Sequence, residues 1–376
     1  CILFIMSNLF IALFFIIKDN YSEKPIIEKN PVIERYGMDS LKKVYVEYDE
    51  NEITNLLNET WLRRPQYTYE PFTQFKENPY KGEYVNIDSN GFRLTYDQGP
   101  WPPDSNNINI FLFGGSTTFG YGVADNETIA SYLQKYFSDY FISNDYKIYN
   151  FGRGNYYSAQ ERILFENLLV NSFVPDMAIF LDGINDFLYT NSPKGYYKNW
   201  GYYKNEFTKQ VAPSILLLEK LPLMRVVRNI QKILGNNDKK NKLFSDPHNE
   251  DSSNVVRHVI DRYLENKKII ESISGHYDIL PIFILHPIPM YNYNLDYHLL
   301  YIEGDYKYPK AGYHHLSRLN EKNALGNNFL WAADIQKNIK LPLYVDTFHY
   351  STVMNEMLSK YIFNFIFDKL HILKNN

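Results

Sequence analysis

Short apolar runs, each cut off by glycine or a polar turn, recur from residue 108 to the end of the chain. INIFLF (108–113), YKIYNF (146–151), MAIFL (177–181), ILPIFIL (279–285) and LPLYV (341–345) are such runs. Continuous apolar stretches of this length suit strands buried on both faces. Between and after them, 126–141, 158–171, 254–274, 329–338 and 352–370 predict helices. Asp125 or Asn126 is the expected N-cap of the first, and Ile163, Leu164, Leu168 and Leu169 give the second its apolar spacing. Strand and helix in alternation mean βαβ units and a parallel sheet. Functional groups in such a sheet lie just beyond the carboxyl ends of the strands.

The flanks break this rhythm. ILFIMSNLFIALFFII (2–17) is apolar except for Ser7 and Asn8, close to the length of a bilayer-spanning helix. Residues 1–17 are therefore read as a membrane anchor whose start lies upstream of Cys1. Residues 18–35 are polar, carry two prolines and read as a linker. Residues 36–106 form an accessory region. It holds a charged helical stretch at 51–62 and a β-hairpin, YVNIDSNGFRLTY (84–96), turned by Ser89-Asn90-Gly91. The main domain spans 107–376 and contains an insertion at 187–252 with a tyrosine cluster at Tyr189, Tyr196, Tyr197, Tyr202 and Tyr203.

Composition narrows the classes. Lys and Arg number 39 against 43 Asp and Glu, so the basic excess on which nucleic-acid binding depends is missing. A single Cys excludes an intrachain disulfide and any multi-cysteine metal site. The 34 Tyr and 25 Phe are read mainly as the imprint of an AT-rich gene, so no single aromatic carries weight.

The chemistry sits after the strands. GGST (114–117) follows the first, NFGRGNYYS (150–158) the second, DGIND (182–186) the third and DTFH (346–349) the fifth. Singly these are weak. A Gly-Gly-Ser turn is commonly only a turn, or a phosphate cradle, although it lacks the P-loop lysine. Asn185 serves equally as a helix cap, and a lone His349 as a structural histidine. Together, a serine, a glycine-rich turn, an asparagine and an Asp-x-x-His pair on one rim make a set for acyl transfer. A hydroxyl needs a neighbouring base, the base needs a partner that fixes its tautomer, and the oxyanion needs donors placed beforehand.

From residue 108 to 370, with the insertion between, the chain resembles the SGNH (GDSL-type) hydrolase family. GGST resembles its first block, GIND its third and DTFH its fifth. The resemblance implies a three-layer, flavodoxin-like α/β fold with a central parallel sheet of about five strands. It implies Ser116 as nucleophile, His349 as base and Asp346 as orienting acid. The implied oxyanion donors are Ser116, Asn155 and Asn185, with Gly154 or Gly152 in place of Asn155 if the register slips. Gly115 replaces the family's Asp, and Asn155 stands where the family has glycine. The resulting expectation is a membrane-anchored, extracytoplasmic serine esterase without metal or cofactor, taking an acyl, chiefly acetyl, group from a glycan or lipid ester. An O-acetyltransferase of a surface polysaccharide and a non-catalytic glycan-binding protein on the same scaffold are the alternatives. The other histidines, His286 and the His314-His315 pair among them, are expected in surface or loop roles.

Overall fold

A computed structural model describes residues 30–64, 67–141, 145–188 and 252–375, with isolated positions at 6–8, 10–13, 222–223 and 226. The chain divides into two units, Cys1–Glu28 with Thr190–Glu250, and Lys29–Tyr189 with Asp251–Asn376. The second unit holds the sheet and the helices that cover it. The expected anchor and the insertion with its tyrosine cluster fall mainly outside the described residues, and no helix among those residues is long and apolar enough to cross a membrane.

The N-terminal part is more ordered than its polar sequence suggests. The expected linker ends in helix α1 (Pro31–Tyr36), because Asn30 accepts hydrogen bonds from the N–H groups of Val32 and Ile33 and a proline occupies the first turn. Helix α2 (Glu50–Asn58) starts in a capping box between Asp49 and Glu52. Strands β1 (Tyr67–Glu70) and β2 (Gln74–Glu77) pair antiparallel. β3 (Tyr80–Lys81) pairs with β4 (Asn86–Ile87). The expected hairpin at 84–96 exists in reduced form, with one bridge, Ile87 to Arg93, closed by a bond from Gly91 N–H to Asp88 O. Arg93 also bridges Asn150, so this region extends the edge of the main sheet.

The main sheet has five parallel strands: β5 (Ile108–Gly114), β6 (Tyr146–Asn150), β7 (Met177–Asp182), β8 (Leu280–Leu285) and β9 (Phe329–Trp331). Their order is β6-β5-β7-β8-β9, the 2-1-3-4-5 order of flavodoxin-like sheets, whose direction of winding switches at β5 and β7. Side chains alternate along each strand. Ile110, Leu112, Ile179, Leu181, Ile282 and Ile284 join one core with helices α4 (Ile129–Tyr140) and α9 (Thr352–Asn375). On the opposite face Phe113, Phe180 and Phe283 are register partners on adjacent strands. Their rings stack at 4.9 and 5.4 Å, beneath α5 (Ser158–Val170) and α7 (Ser252–His276).

Three expectations are corrected. The helix placed at 329–338 begins as strand β9, since Phe329 pairs with Phe283 and both Phe329 and Leu330 are buried. The strand placed at 341–345 lies outside the sheet and makes only the bridge Tyr344 to Tyr350. Helix α4 is capped by Thr128, which accepts from Ser131 N–H, while Asp125 opens a short 3-10 turn before it. Helix α8 (Lys307–Glu321) has no counterpart among the predicted helices. The edge region is pinned to the sheet by Arg93, which is fully buried, pairs with Asp125 at 2.8 Å and donates to the carbonyls of Phe119, Gly120 and Val123. Breaking a buried pair of this kind costs about 3–5 kcal/mol. Arg93→Ala is therefore expected to lower the urea midpoint by that equivalent, and an unchanged midpoint would show that these bonds contribute nothing net.

Candidate active site

Strand β5 runs into two glycines and then helix α3 (Ser116–Phe119). A Cβ on Gly114 would lie 2.0 Å from Thr118 Oγ1, and one on Gly115 2.5 Å from Asn185 Nδ2 and 3.1 Å from the carbonyl of Tyr156. The turns after β5, β6 and β7 thus meet at positions without side chains. Ser116 is the first residue of α3, at the point where the sheet's winding reverses.

His349 Nε2 lies 2.8 Å from Ser116 Oγ, and His349 Nδ1 lies 2.6 Å from Asp346 Oδ2. The other carboxylate oxygen, Oδ1, accepts from the N–H groups of Phe348 and His349. Burial pushes the Asp346 carboxyl up, but the charge and hydrogen bond of His349, with those two N–H groups, outweigh it and hold the group at about 2. The loop itself is fixed from behind. Tyr36 OH lies 3.0 Å from Thr347 Oγ1, and the buried His298, stacked on Tyr344 at 4.7 Å, lies 3.3 Å from Thr347 O. Burial brings His298 down to about 4, so at neutral pH it is uncharged, and a proton on Nε2 makes it the donor.

The oxyanion candidates separate. Asn185, in the short helix α6 (Ile184–Leu188), donates from Nδ2 to Tyr156 O at 2.7 Å and lies beside the Gly115 backbone. Asn155 has a φ of 64°, a left-handed conformation that asparagine tolerates better than most residues. Both alternatives already have acceptors. The Gly154 N–H is committed to Glu77 Oε1 at 2.9 Å and the Gly152 N–H to Asn150 Oδ1 at 3.0 Å.

Several groups at this site had no recognisable sequence signal. Trp61 and Tyr121 stand 5.6 and 5.3 Å from the His349 ring, centroid to centroid, and 4.9 Å from each other. Both rings belong to sequence that offers no motif. Beneath the rim, Ser158 donates from Oγ and N to the Asp186 carboxylate at 2.7 and 3.2 Å, tying α5 to the turn of Asn185. Glu161 and Asp182 are buried beside it, and Glu161 Oε2 and Asp182 Oδ1 have no donor. A shared proton closes that gap. Burial first, then the neighbouring carboxylates, push Glu161 and Asp182 well above the ordinary range. His286 sits in the loop just past β8, as expected of a loop position, but is buried rather than at the surface, and lies 2.6 Å from Tyr350 OH through Nδ1. Among the described residues no three His, Cys, Asp or Glu side chains are grouped to hold a metal ion.

No family model matches the chain, and a search of curated proteins finds no match. Solved structures do. A protein described as lipolytic and of the G-D-S-L family, from Desulfitobacterium hafniense DCB-2, is 14% identical over 69% of this chain and 99% of its own, with a TM-score of 0.36. The esterase EstA from Pseudoalteromonas sp. is 12% identical over 70% and 100%, with a TM-score of 0.36. The acetylxylan esterase Axe2 from Geobacillus stearothermophilus is 12% identical over 69% and 94%, with a TM-score of 0.37. At these identities the chemistry of this chain rests on its own site.

The buried acids make stability depend on pH. With Glu161 and Asp182 raised, the folded protein holds a proton that the unfolded chain has released once pH exceeds the ordinary carboxylate range, about 4. Stability is therefore lost as pH rises from there toward the folded-state values. Glu161→Gln removes the ionisation and keeps a donor for Asp182. Its Tm relative to wild type is expected to climb between pH 4.5 and 8, and a difference independent of pH would exclude the shared proton.

Proposed function

We propose that this chain is a serine esterase of the SGNH type, and the continuous path Ser116 Oγ, His349 Nε2, His349 Nδ1, Asp346 Oδ2 carries the reading. His349 takes the proton of Ser116 as Oγ attacks the carbonyl carbon of an ester. Asp346 stabilises the imidazolium that forms and holds the ring so that Nε2, not Nδ1, faces the serine. The charge on the carbonyl oxygen is met by the N–H of Ser116, the N–H of Asn155 and the side-chain amide of Asn185, which has a second proton besides the one given to Tyr156. When the tetrahedral adduct collapses, His349 returns its proton to the departing alcohol and the acyl group stays on Ser116. Water, activated by the same histidine, then releases the acid. The substrate class proposed is an acyl ester, acetyl first, of a glycan or lipid. An acceptor alcohol entering in place of water turns the same cycle into acyl transfer, and product analysis with a glycan acceptor separates the two.

Ser116→Ala is expected to abolish hydrolysis of a short-chain p-nitrophenyl ester and covalent labelling by a fluorophosphonate. Wild-type protein that neither hydrolyses the ester nor labels would sink the reading. Asp346→Asn keeps the shape but loses the carboxylate, and kcat is expected to fall by about 10²–10⁴-fold, measured with the same ester.

A further inference from the structure

We infer that Glu77, on strand β2 in the N-terminal region, is a positioning residue that sets the oxyanion turn of the proposed esterase. The inference rests on that reading and adds to it a part for a region outside the resembled motifs. The Glu77 carboxylate is 1% exposed. Its Oε1 accepts from the Gly154 N–H at 2.9 Å and from Tyr121 OH at 3.1 Å. Its Oε2 pairs with Arg64 Nη1 at 2.5 Å. Arg64 is itself 3% exposed, donates from Nε to Thr60 O at 3.1 Å, and packs over the rings of Phe119 and Tyr121 at 5.0 and 5.1 Å. One carboxylate therefore links the nucleophile helix, through Phe119, to the turn that carries Asn155.

The rest of the hairpin grips the same turn. Arg153 donates to Glu70 and to Tyr156 OH, and Tyr156 OH donates to the carbonyl of Phe75. Asn155 Nδ2 donates to Tyr67 OH at 3.1 Å, and Tyr67 OH lies 3.0 Å from Tyr121 OH. The approach is close enough that a Cβ on Gly154 would come within 2.2 Å of Tyr67 OH and 2.5 Å of Tyr121 OH. Burial, reinforced by the Glu77 charge, pushes Tyr121 up to about 12, so its hydroxyl stays a donor at any working pH. The Asn155 N–H points from a backbone held in the left-handed region, and that conformation persists only where the surroundings over-determine it. Glu77 supplies the bond at the residue immediately before.

Groups placed beforehand for a developing oxyanion raise kcat, whereas groups that only bind substrate lower KM. Glu77→Gln keeps the size and one acceptor but loses the ion pair and weakens the grip on Gly154. The variant is expected to fold, to keep KM within about twofold, and to lose kcat and the fluorophosphonate labelling rate together by about tenfold or more. Should it fail to fold, Tyr121→Phe removes one donor to the same oxygen with the ion pair intact, and kcat is expected to fall severalfold at unchanged KM. Wild-type kcat in a folded Glu77→Gln, or in Tyr121→Phe if only that variant folds, overturns the inference alone. So does a loss that merely tracks the folded fraction. A wild-type enzyme that does not label at Ser116 overturns the esterase reading and this inference with it.

Discussion

The active-site rim depends on the absence of side chains at Gly114 and Gly115. Three turns, after β5, β6 and β7, converge there so closely that a single Cβ would collide with Thr118, Asn185 or the carbonyl of Tyr156. The close approach brings the amide of Asn185 alongside the Gly115 backbone and lets one hydrogen bond, Asn185 Nδ2 to Tyr156 O, join the second turn to the third. The contact lies at β5 and β7, where the order of the strands reverses. Ser116 is the first position beyond the contact with a side chain to offer.

A rim built from turns needs holding, and buried charge does it. Arg93 with Asp125 and Arg153 with Glu70 each bring a residue of 36–106 against a turn of the main domain, and Arg64 with Glu77, both within 36–106, holds the carboxylate that accepts from the Gly154 N–H. Each pair is desolvated, so its net contribution to stability is small or even unfavourable compared with apolar packing, while loss of one partner is costly. What such pairs supply is geometry: a guanidinium fork and a carboxylate fit in few ways. Residues 36–106 thus pack into the same unit as the main sheet, and these ion pairs had no signal in the sequence. A buried Arg or Glu in an aromatic-rich stretch looks the same in sequence as a solvated one.

Strands β5 to β8 were legible because sheets covered on both faces demand unbroken apolar runs. The fifth was not. FLW and LPLYV are both short and apolar, and only the pairing of Phe329 with Phe283 decides between them. The aromatic excess, read as a compositional imprint, has a structural use in the described residues. Phe113, Phe180 and Phe283 form a stacked row across three strands. Trp101 closes a cluster with Phe92, Phe111, Tyr149, Phe151 and Phe173. Rings of this size fill a face with few side chains, and offset or edge contacts add to the burial.

The Asp-x-x-His pair was legible even though its strand was not, and its chemistry says why. A spacing of three lets one carboxylate serve three donors: the N–H groups of Phe348 and His349 on Oδ1 and the ring nitrogen of His349 on Oδ2. The turn is closed again by the bond from Val345 N–H to His349 O. Such a turn carries its own geometry and needs no strand beneath it, only anchors at its back, which Tyr36 and His298 supply. The proposed nucleophile is the opposite case. Ser116 has no local feature to distinguish it from any serine after two glycines; its role comes from what converges on it. The part of the site that is self-contained could be read from four residues, and the part that is assembled could be read only from the fold.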